Sequence, residues 1–236
     1  MPATLYLLPT PLADNTAAQV LPPQLVQAVA ALPYFMAENA RTARRFVKSV
    51  APARVIEDIA FAVIDKDSSE AEVRAALQPL LQQGIDGGVL SEAGCPGIAD
   101  PGAALVREAH RLGLRVVPLV GPSSLLLALM ASGLSGQQFA FHGYLPIEKA
   151  PRLAALKTLE REALQRQQTQ LFIETPYRNG ALFADLLAHL QPGTRLCVAA
   201  DVTGAGEFIK TLTVRDWQRL PPPQLHKIPT VFLIGQ

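Results

Sequence analysis

Short apolar runs alternate with segments of helical periodicity up to about Gly133, and this alternation constrains the fold most strongly. Strands are predicted at Thr4–Leu8, Tyr34–Ala37, Asp86–Leu90 and Arg115–Val120. Helices are predicted at Gln24–Ala31, Glu38–Val50, Glu70–Gln82, Ala103–Leu112 and Leu125–Ser132. Strands that alternate with helices form a parallel sheet with helices on its faces, so this part of the chain is predicted to be a Rossmann-like α/β domain.

After about Gly133 strands outnumber helices. Strands are predicted at Phe139–Leu145, Thr169–Glu174, Arg195–Asp201, Glu207–Val214 and Pro229–Gly235, and helices at Pro151–Gln167 and Asn179–Leu190. Because only two helices separate five strands, a mixed sheet is predicted. We therefore expect two α/β domains, residues 1–135 and 136–236, joined near Ser135–Gln138.

Composition excludes several classes of protein. With 49% hydrophobic and 17% charged residues, the chain is unlike disordered proteins, and 236 residues can bury a sizeable core. The net charge of +1 favours neither nucleic acid nor membrane as a partner, so RNA affinity would need a local patch of positive charge.

Two cysteines indicate a reducing, cytoplasmic compartment, and Met1–Asn15 lacks signal-peptide features. The uncharged run Val116–Leu134 is broken by prolines and a glycine, which predicts core and no membrane span.

The Ser91–Gly102 loop, SEAGCPGIADPG, is the strongest candidate for a ligand site. Connections between strands and helices usually have about 2–6 residues, so this loop is long. Its three glycines and two prolines predict a sharply turned, rigid path. Ligands of open parallel sheets bind at loops that leave the carboxyl ends of strands. The alternative interpretation is a long structural connection.

Gly121-Pro122-Ser123-Ser124 follows the fourth predicted strand and leads into a helix. The serines either cap that helix or, with its N–H groups, hold a polar or anionic ligand group. If the two strands are neighbours, this loop lies beside Ser91–Gly102, and together they mark one pocket.

Four cations fall on one face of the Glu38–Val50 helix, at the spacing i, i+3, i+4 and i+7: Arg41, Arg44, Arg45 and Lys48. Solvated helix faces usually mix charges, because opposite charges at i, i+4 attract. The row is either a patch that binds RNA phosphates or a surface face neutralised by neighbours.

Several common catalytic motifs are absent from the sequence. No phosphate-binding P-loop, dinucleotide fingerprint or nucleophile elbow is found, and the four histidines lack metal-ligand spacing, so no metal is expected. The predicted pocket has few titratable groups: Glu38, Arg41, Glu92 and Asp100. Such a pocket suits transfer from an activated donor, where positioning supplies most of the catalysis.

The segments TLYLLPTP, AENAR, SEAGCPGIADPG, VVPLVGPSS, FAFHGYLP and IETPYR stand in an order that resembles the small-subunit rRNA (cytidine-2′-O)-methyltransferase family. That family belongs to the tetrapyrrole-methylase superfamily, whose members use S-adenosylmethionine and release S-adenosylhomocysteine. The resemblance implies two α/β domains with the ligand cleft between them, a homodimer, and transfer of the sulfonium methyl without a metal.

The resemblance also assigns residues. It implies that the methyl donor is lined by Pro9, Glu92, Gly94, Cys95, Ile98, Ser123, Ser124, Ile173 and Thr230. A ribose hydroxyl acceptor needs a group that takes its proton, and Glu38 and Asp100 are the candidates. Arg41 is the candidate that orients a phosphate.

Departures from the family pattern keep other functions open. The family's A-E-D-T-R reads Ala37-Glu38-Asn39-Ala40-Arg41, and its basic R-E-x-T-K-like run reads Ala200–Gly204. The family's C-terminal extension is not found after Gln236, which predicts a shorter, diverged member. The alternatives to rRNA ribose methylation are methylation of a tetrapyrrole-like small molecule and non-catalytic binding of S-adenosylmethionine or S-adenosylhomocysteine.

Overall fold

The computed structural model describes residues 3–100 and 102–236. The chain divides into two compact units, one ending at Ser123 and one covering Ser124–Gln236. The division precedes the helix at Ser124–Ser132, whereas the junction expected at Ser135–Gln138 follows it. The helix belongs with the second unit because it packs on three of that unit's strands and the Ser132 carbonyl accepts a hydrogen bond from Thr211 Oγ1 at 2.7 Å.

The sheet of the first unit is parallel throughout, as the alternating pattern predicts. Its strands are β1 (Thr4–Leu8), β2 (Tyr34–Ala37), β3 (Ala60–Val63), β4 (Gly87–Leu90) and β5 (Arg115–Pro118). They lie in the order β3-β2-β4-β1-β5. Strand β3 was not predicted, because it is a four-residue edge strand whose side chains are exposed or half-buried.

Helices cover both faces of this sheet. They are α1 (Ala17–Val20), α2 (Pro23–Ala31), α3 (Ala40–Val50), α4 (Glu70–Gln82) and α5 (Gly102–Arg111), with a 3-10 turn at Ile56–Asp58. Successive side chains of a strand point to opposite faces. On β2, the buried Phe35 therefore packs with α2 and α3, and the buried Met36 packs with α4 and α5.

Strands β1 and β4 are neighbours, yet the chain leaves them toward opposite faces of the sheet. Helices α1 and α2 follow β1 and pack on the Phe35 face, whereas α5 follows β4 and packs on the Met36 face. The loops between these strands and helices thus separate at the carboxyl edge. In open α/β sheets, such a switch point is where ligands bind.

The second unit has the mixed sheet that the sequence predicts. Its elements are α6 (Ser124–Ser132), β6 (Phe139–Tyr144), α7 (Lys149–Arg166), β7 (Thr169–Ile173), α8 (Asn179–His189), β8 (Arg195–Ala200), β9 (Phe208–Thr213), α9 (Val214–Trp217) and β10 (Thr230–Gly235). The strand order is β6-β7-β10-β8-β9; β6 and β7 are parallel, and the other pairs are antiparallel.

The core of the second unit combines stacked aromatic rings with satisfied polar groups. The rings of Phe172 and Phe232 are stacked, with their centroids 6.0 Å apart. The indole N–H of Trp217 donates to the Leu196 carbonyl at 2.8 Å. An ion pair of 2.7 Å between Arg152 and Asp185 ties α7 to α8. No helix within the described ranges is both long and apolar enough to cross a membrane.

Candidate functional site

The loops after β1 and β4 are tied together by backbone hydrogen bonds between Thr10 and Gly94. Thr10 N donates to Gly94 O at 2.9 Å, and Gly94 N donates to Thr10 O at 3.1 Å. The Thr10 hydroxyl bonds to Ser91 O at 3.2 Å, and the Ser91 hydroxyl donates to Gly94 O. We call Thr10, Ser91 and Gly94 the clasp. All three are buried, so these polar groups depend on one another for hydrogen bonds.

The loop after β5 joins the same place. Strands β4 and β5 are not neighbours but flank β1, and their loops meet beside Pro9. The Cys95 thiol donates to Pro122 O at 3.4 Å. A Cβ atom at Gly121 would overlap the Pro9 ring. The structure thus brings the two sequence-predicted loops together with the end of β1, and we call this meeting point the three-loop junction.

Backbone conformation at the junction requires glycine. Gly94 has a φ of +80°, a left-handed conformation that side chains disfavour. A Cβ there would also lie 3.2 Å from the Leu12 side chain and 3.6 Å from Pro122 O. The absence of a side chain therefore lets the backbone of this loop approach its neighbours, or a ligand, closely.

Of the residues assigned to the donor, Pro9, Gly94 and Cys95 lie at the junction itself. Burial raises the pKa of the half-buried Cys95 thiol, which keeps it protonated at neutral pH and unsuited to attack as a nucleophile. Ile98 lies farther along the loop and is 53% exposed, an apolar side chain presented to solvent. Pro101, inside the predicted loop, lies outside the described residues.

The carboxylates of Glu38, Glu92 and Asp100 are close enough to interact electrostatically. Burial raises the pKa of Glu38, and the charges of Asp100 and Glu92 raise it further. Burial also raises the pKa of Asp100, opposed by backbone N–H groups such as that of Gly102, which donates to Asp100 Oδ1 at 3.2 Å. A carboxylate with a raised pKa is a better proton acceptor, so this group can serve base catalysis.

Glu92 contacts the first turn of α3, and Arg41 is part of that turn. Glu92 is exposed and accepts a hydrogen bond from the Thr42 hydroxyl at 2.7 Å. Asn39 caps the helix, because its Oδ1 accepts from the backbone N–H groups of Arg41 and Thr42 at 2.9 and 3.4 Å. The Arg41 side chain is exposed and reaches into solvent on the first turn.

The remaining assigned residues are distributed over both units. Ser123 ends the first unit, and Ser124 begins α6 in the second. Ile173 ends β7 and pairs with Val231, the residue after Thr230. Thus Ile173 and Thr230 lie at the same edge of the second sheet, where the Thr230 hydroxyl donates to Ile228 O at 3.0 Å. Their assignment to a donor site stays a prediction.

The predicted cationic face of α3 is divided among different surroundings. The Arg44 guanidinium lies over the Phe61 ring, 5.2 Å from its centroid. Lys48 Nζ donates to the carbonyls of Pro52 and Arg54 at 2.8 and 3.1 Å. These two cations therefore have neighbours that stabilise them, whereas Arg45 faces a cavity.

The cavity, of about 680 Å³, lies within the first unit beside the clasp. Its walls are the loop after β1, one face of α3 and the end of β4. Neither this cavity nor the hydrogen bonds of the Thr10, Ser91 and Thr42 hydroxyls were predicted from the sequence. The sequence feature that could have indicated these hydroxyl groups is a serine or threonine just after a predicted strand or at the start of a helix. Among the described residues, no group of three His, Cys, Asp or Glu side chains is arranged to hold a metal ion.

Comparison with known proteins identifies a matching family model and curated proteins of similar sequence. The family model described as "Tetrapyrrole (Corrin/Porphyrin) Methylases" matches residues 17–218. Ribosomal RNA small subunit methyltransferase I of Pseudomonas aeruginosa is 37% identical over 140 residues, which are 58% of this chain and 48% of that protein. The protein of the same name from Escherichia coli O157:H7 is 36% identical over 143 residues, 61% of this chain and 49% of that one. The chain thus spans about half the length of these curated relatives.

Solved structures share the fold. The methyltransferase CobJ aligns with a TM-score of 0.65 at 20% identity, covering 100% of this chain and 95% of that one. Uroporphyrin-III C-methyltransferase of Thermus thermophilus, solved in complex with S-adenosyl homocysteine, aligns with a TM-score of 0.56 at 17% identity, covering 99% and 98%. Both agree with two α/β domains, one parallel and one mixed. Because the family model matches most of its length, the chain belongs to the tetrapyrrole (corrin/porphyrin) methylase family.

Proposed function

We propose that the protein is an S-adenosylmethionine-dependent methyltransferase and that the three-loop junction binds the methyl donor. The observation that carries this proposal is the junction itself, where Pro9, Gly94 and Cys95 meet at the switch point of a parallel sheet. Family membership supports it, as does the complex of a structurally similar methyltransferase with S-adenosyl homocysteine.

The residues present fit such a donor. Gly94 and Gly121 have no side chain, so the backbone can approach a bound nucleoside closely. The exposed Ile98 can cover an apolar surface, and Cys95 is a neutral, half-buried wall. In this proposal, Ser123 hydrogen-bonds with a polar end of the donor. When bound, S-adenosylmethionine supplies an electrophilic methyl group, so the protein's contribution is mainly to position the reactants.

The acceptor that we propose is a ribose hydroxyl of ribosomal RNA. The curated relatives are named as ribosomal RNA methyltransferases. A ribose hydroxyl must lose its proton during transfer, and Glu38 and Asp100 are the carboxylates with raised pKa values that can accept it. Arg41 is proposed to orient a phosphate next to the reacting ribose.

We also propose that the protein acts as a homodimer in the cytoplasm, as the family resemblance implies. Exposed apolar side chains in each unit support self-association: Val120 in the first unit is 76% exposed, and Met130 on α6 in the second unit is 79% exposed. Sedimentation at micromolar concentration tests this, and a species of 25.3 kDa at every concentration would contradict it.

A methyl-transfer assay tests the proposed function. The protein is incubated with S-adenosylmethionine carrying a radioactive methyl group, together with either unmethylated ribosomal RNA or a small-molecule extract. Label in the RNA, located at a ribose 2′ position by nuclease digestion, supports the proposal. Label only in the small molecules would overturn the RNA acceptor, and donor binding without transfer to either would overturn catalysis.

A further inference from the structure

The cavity beside α3 has the size and position of a second binding site. Three α3 side chains that line it, Thr42, Phe46 and Ser49, stand on one helical face. Its volume of about 680 Å³ is within the range of about 300–1,000 Å³ that small-molecule sites occupy. Ser91 and Glu92 line it at the end of β4. The cavity therefore adjoins the loop that leads to the three-loop junction.

The surroundings of the α3 cations single out Arg45. Arg44 is stacked on Phe61, and Lys48 is bonded to two backbone carbonyls. The Arg45 side chain lines the cavity, is exposed, and makes no hydrogen bond or ion pair within the described ranges. Arg41 precedes it by one turn, about 6 Å along the helix axis. These two guanidinium groups can contact phosphates that follow one another along a strand.

The chemistry of the walls suits a nucleotide. Phe46 is half-buried and offers a ring on which a base can stack. Asp14 supplies a carboxylate at the cavity, the acceptor that reads exocyclic amino groups of bases. The hydroxyls of Thr42 and Ser49 already donate to Glu92 and to the Phe46 carbonyl, so they can act toward a base as hydrogen-bond acceptors. A base can enter such a cavity only when it is not paired, because pairing occupies the edge that would be read.

We propose that this cavity receives one unpaired nucleotide of the acceptor RNA and that Arg45 binds its phosphate. This inference rests on the proposed function, because RNA is the acceptor proposed above. It goes further in assigning a site within the first unit, a preference for unpaired strands, and different roles for neighbouring arginines. Arg45 is a binding residue, whereas Arg44 stabilises the packing of α3 on β3 through its stacking on Phe61.

Fluorescence anisotropy with a labelled single-stranded RNA oligonucleotide, and with the same strand in a duplex, tests the proposal. Arg45→Ala is expected to weaken single-strand binding about tenfold, the effect of one lost charge-assisted hydrogen bond. It should also reduce the slope of log affinity against log salt by about 0.7. The matched control is Arg107→Ala, an exposed arginine on α5 at the opposite face of the sheet, which should change neither value.

A second variant tests the cavity without removing charge. Ser49→Trp places a large side chain in the cavity and should abolish the preference for the single strand over the duplex. Wild-type affinity in both Arg45→Ala and Ser49→Trp, or equal binding of single strand and duplex by the wild type, would overturn the proposal. Calorimetry with S-adenosylmethionine on the same proteins distinguishes the proposed methyl-donor site from the proposed nucleotide site in the cavity. Failure of the wild type to bind the donor contradicts the proposed function, whereas the RNA measurements alone decide the cavity.

Discussion

Thr10 and Gly94 donate a backbone hydrogen bond to each other, at 2.9 and 3.1 Å, and so tie the loop after β1 to the loop after β4. These two loops lead to helices on opposite faces of the sheet. The hydrogen bonds hold the loops together where their paths separate, and the Ser91 hydroxyl reinforces them by donating to Gly94 O. A rigid edge at this point can position a ligand without reorganising when the ligand binds.

Gly94→Ala tests the need for glycine at the clasp. A side chain at a φ of +80° costs about 1–2 kcal/mol, and the added Cβ lies 3.2 Å from the Leu12 side chain. We expect lower stability in urea unfolding and weaker binding of S-adenosylmethionine in calorimetry.

Gly113→Ala is the matched control for this change. Gly113 follows α5, has a φ of +72°, and has open space where a Cβ would stand. The variant should lose a similar free energy of unfolding, about 1–2 kcal/mol, and keep the wild-type affinity for the donor. If both variants lose donor affinity equally, the effect is one of general stability and not of the junction.

Ser91→Ala removes the hydroxyl that donates to Gly94 O. Because Gly94 O still accepts from Thr10 N, the expected loss is about 1 kcal/mol in the free energy of unfolding, with a loss of donor affinity. Ser132→Ala is a suitable comparison, since the buried Ser132 hydroxyl donates to Leu129 O in the second unit. Ser132→Ala should be destabilised to a similar extent while binding the donor normally. Normal donor binding by Ser91→Ala, with weakened binding by Ser132→Ala, would place the donor elsewhere.

The pH dependence of stability tests the environment of Asp100. Burial raises the pKa of Asp100 in the folded chain, so ionisation above that pKa destabilises the fold. Asp100→Asn should therefore be more stable than the wild type at about pH 7. The difference should shrink below about pH 4, where the carboxyl is protonated in both folded and unfolded chains. Urea unfolding at both pH values measures this, and a variant that is less stable at about pH 7 would contradict it.

The buried ion pair of the second unit should matter more than a surface pair. The side chains of Arg152 and Asp185 are 12% and 13% exposed. Removing Asp185 leaves the largely buried Arg152 guanidinium with backbone carbonyls, those of Pro146 and Ile147, in place of a carboxylate. Asp185→Ala should cost about 3–5 kcal/mol in thermal or urea unfolding. Glu162→Ala, which breaks an ion pair with an Arg166 side chain that is 68% exposed, should cost less than about 1 kcal/mol. Equal losses of unfolding free energy in the two variants would contradict the expectation that burial determines how much each ion pair contributes to stability.

The sequence predicted the strands and helices well where one face is buried. The Thr4–Leu8 strand and the Glu70–Gln82 helix have the expected ends, because apolar spacing follows the side that faces the core. Strand β3 lacked that signal, since it lies at an edge and buries little. The short helices α1 and α9 were also missed, because four residues are too few to show a period.

The site was predictable in outline only. Glycine and proline marked the Ser91–Gly102 loop, but nothing in the sequence shows that Thr10 contacts Gly94, since that contact depends on β1 and β4 being neighbours. Likewise, helical spacing placed Arg44 and Arg45 on one face. Their different surroundings arise from Phe61 and the loop after β1, which come from other parts of the chain.

Calorimetric titration with S-adenosylhomocysteine, comparing the wild type with Gly121→Ala, tests the central claim most directly. A methyl group at position 121 overlaps the Pro9 ring and must push the loops after β1 and β5 apart. We predict one ligand per chain for the wild type and at least about tenfold weaker binding for the variant, a loss of about 1.4 kcal/mol. Equal affinity in the two proteins, or no binding by the wild type, would contradict a methyl-donor site at the three-loop junction.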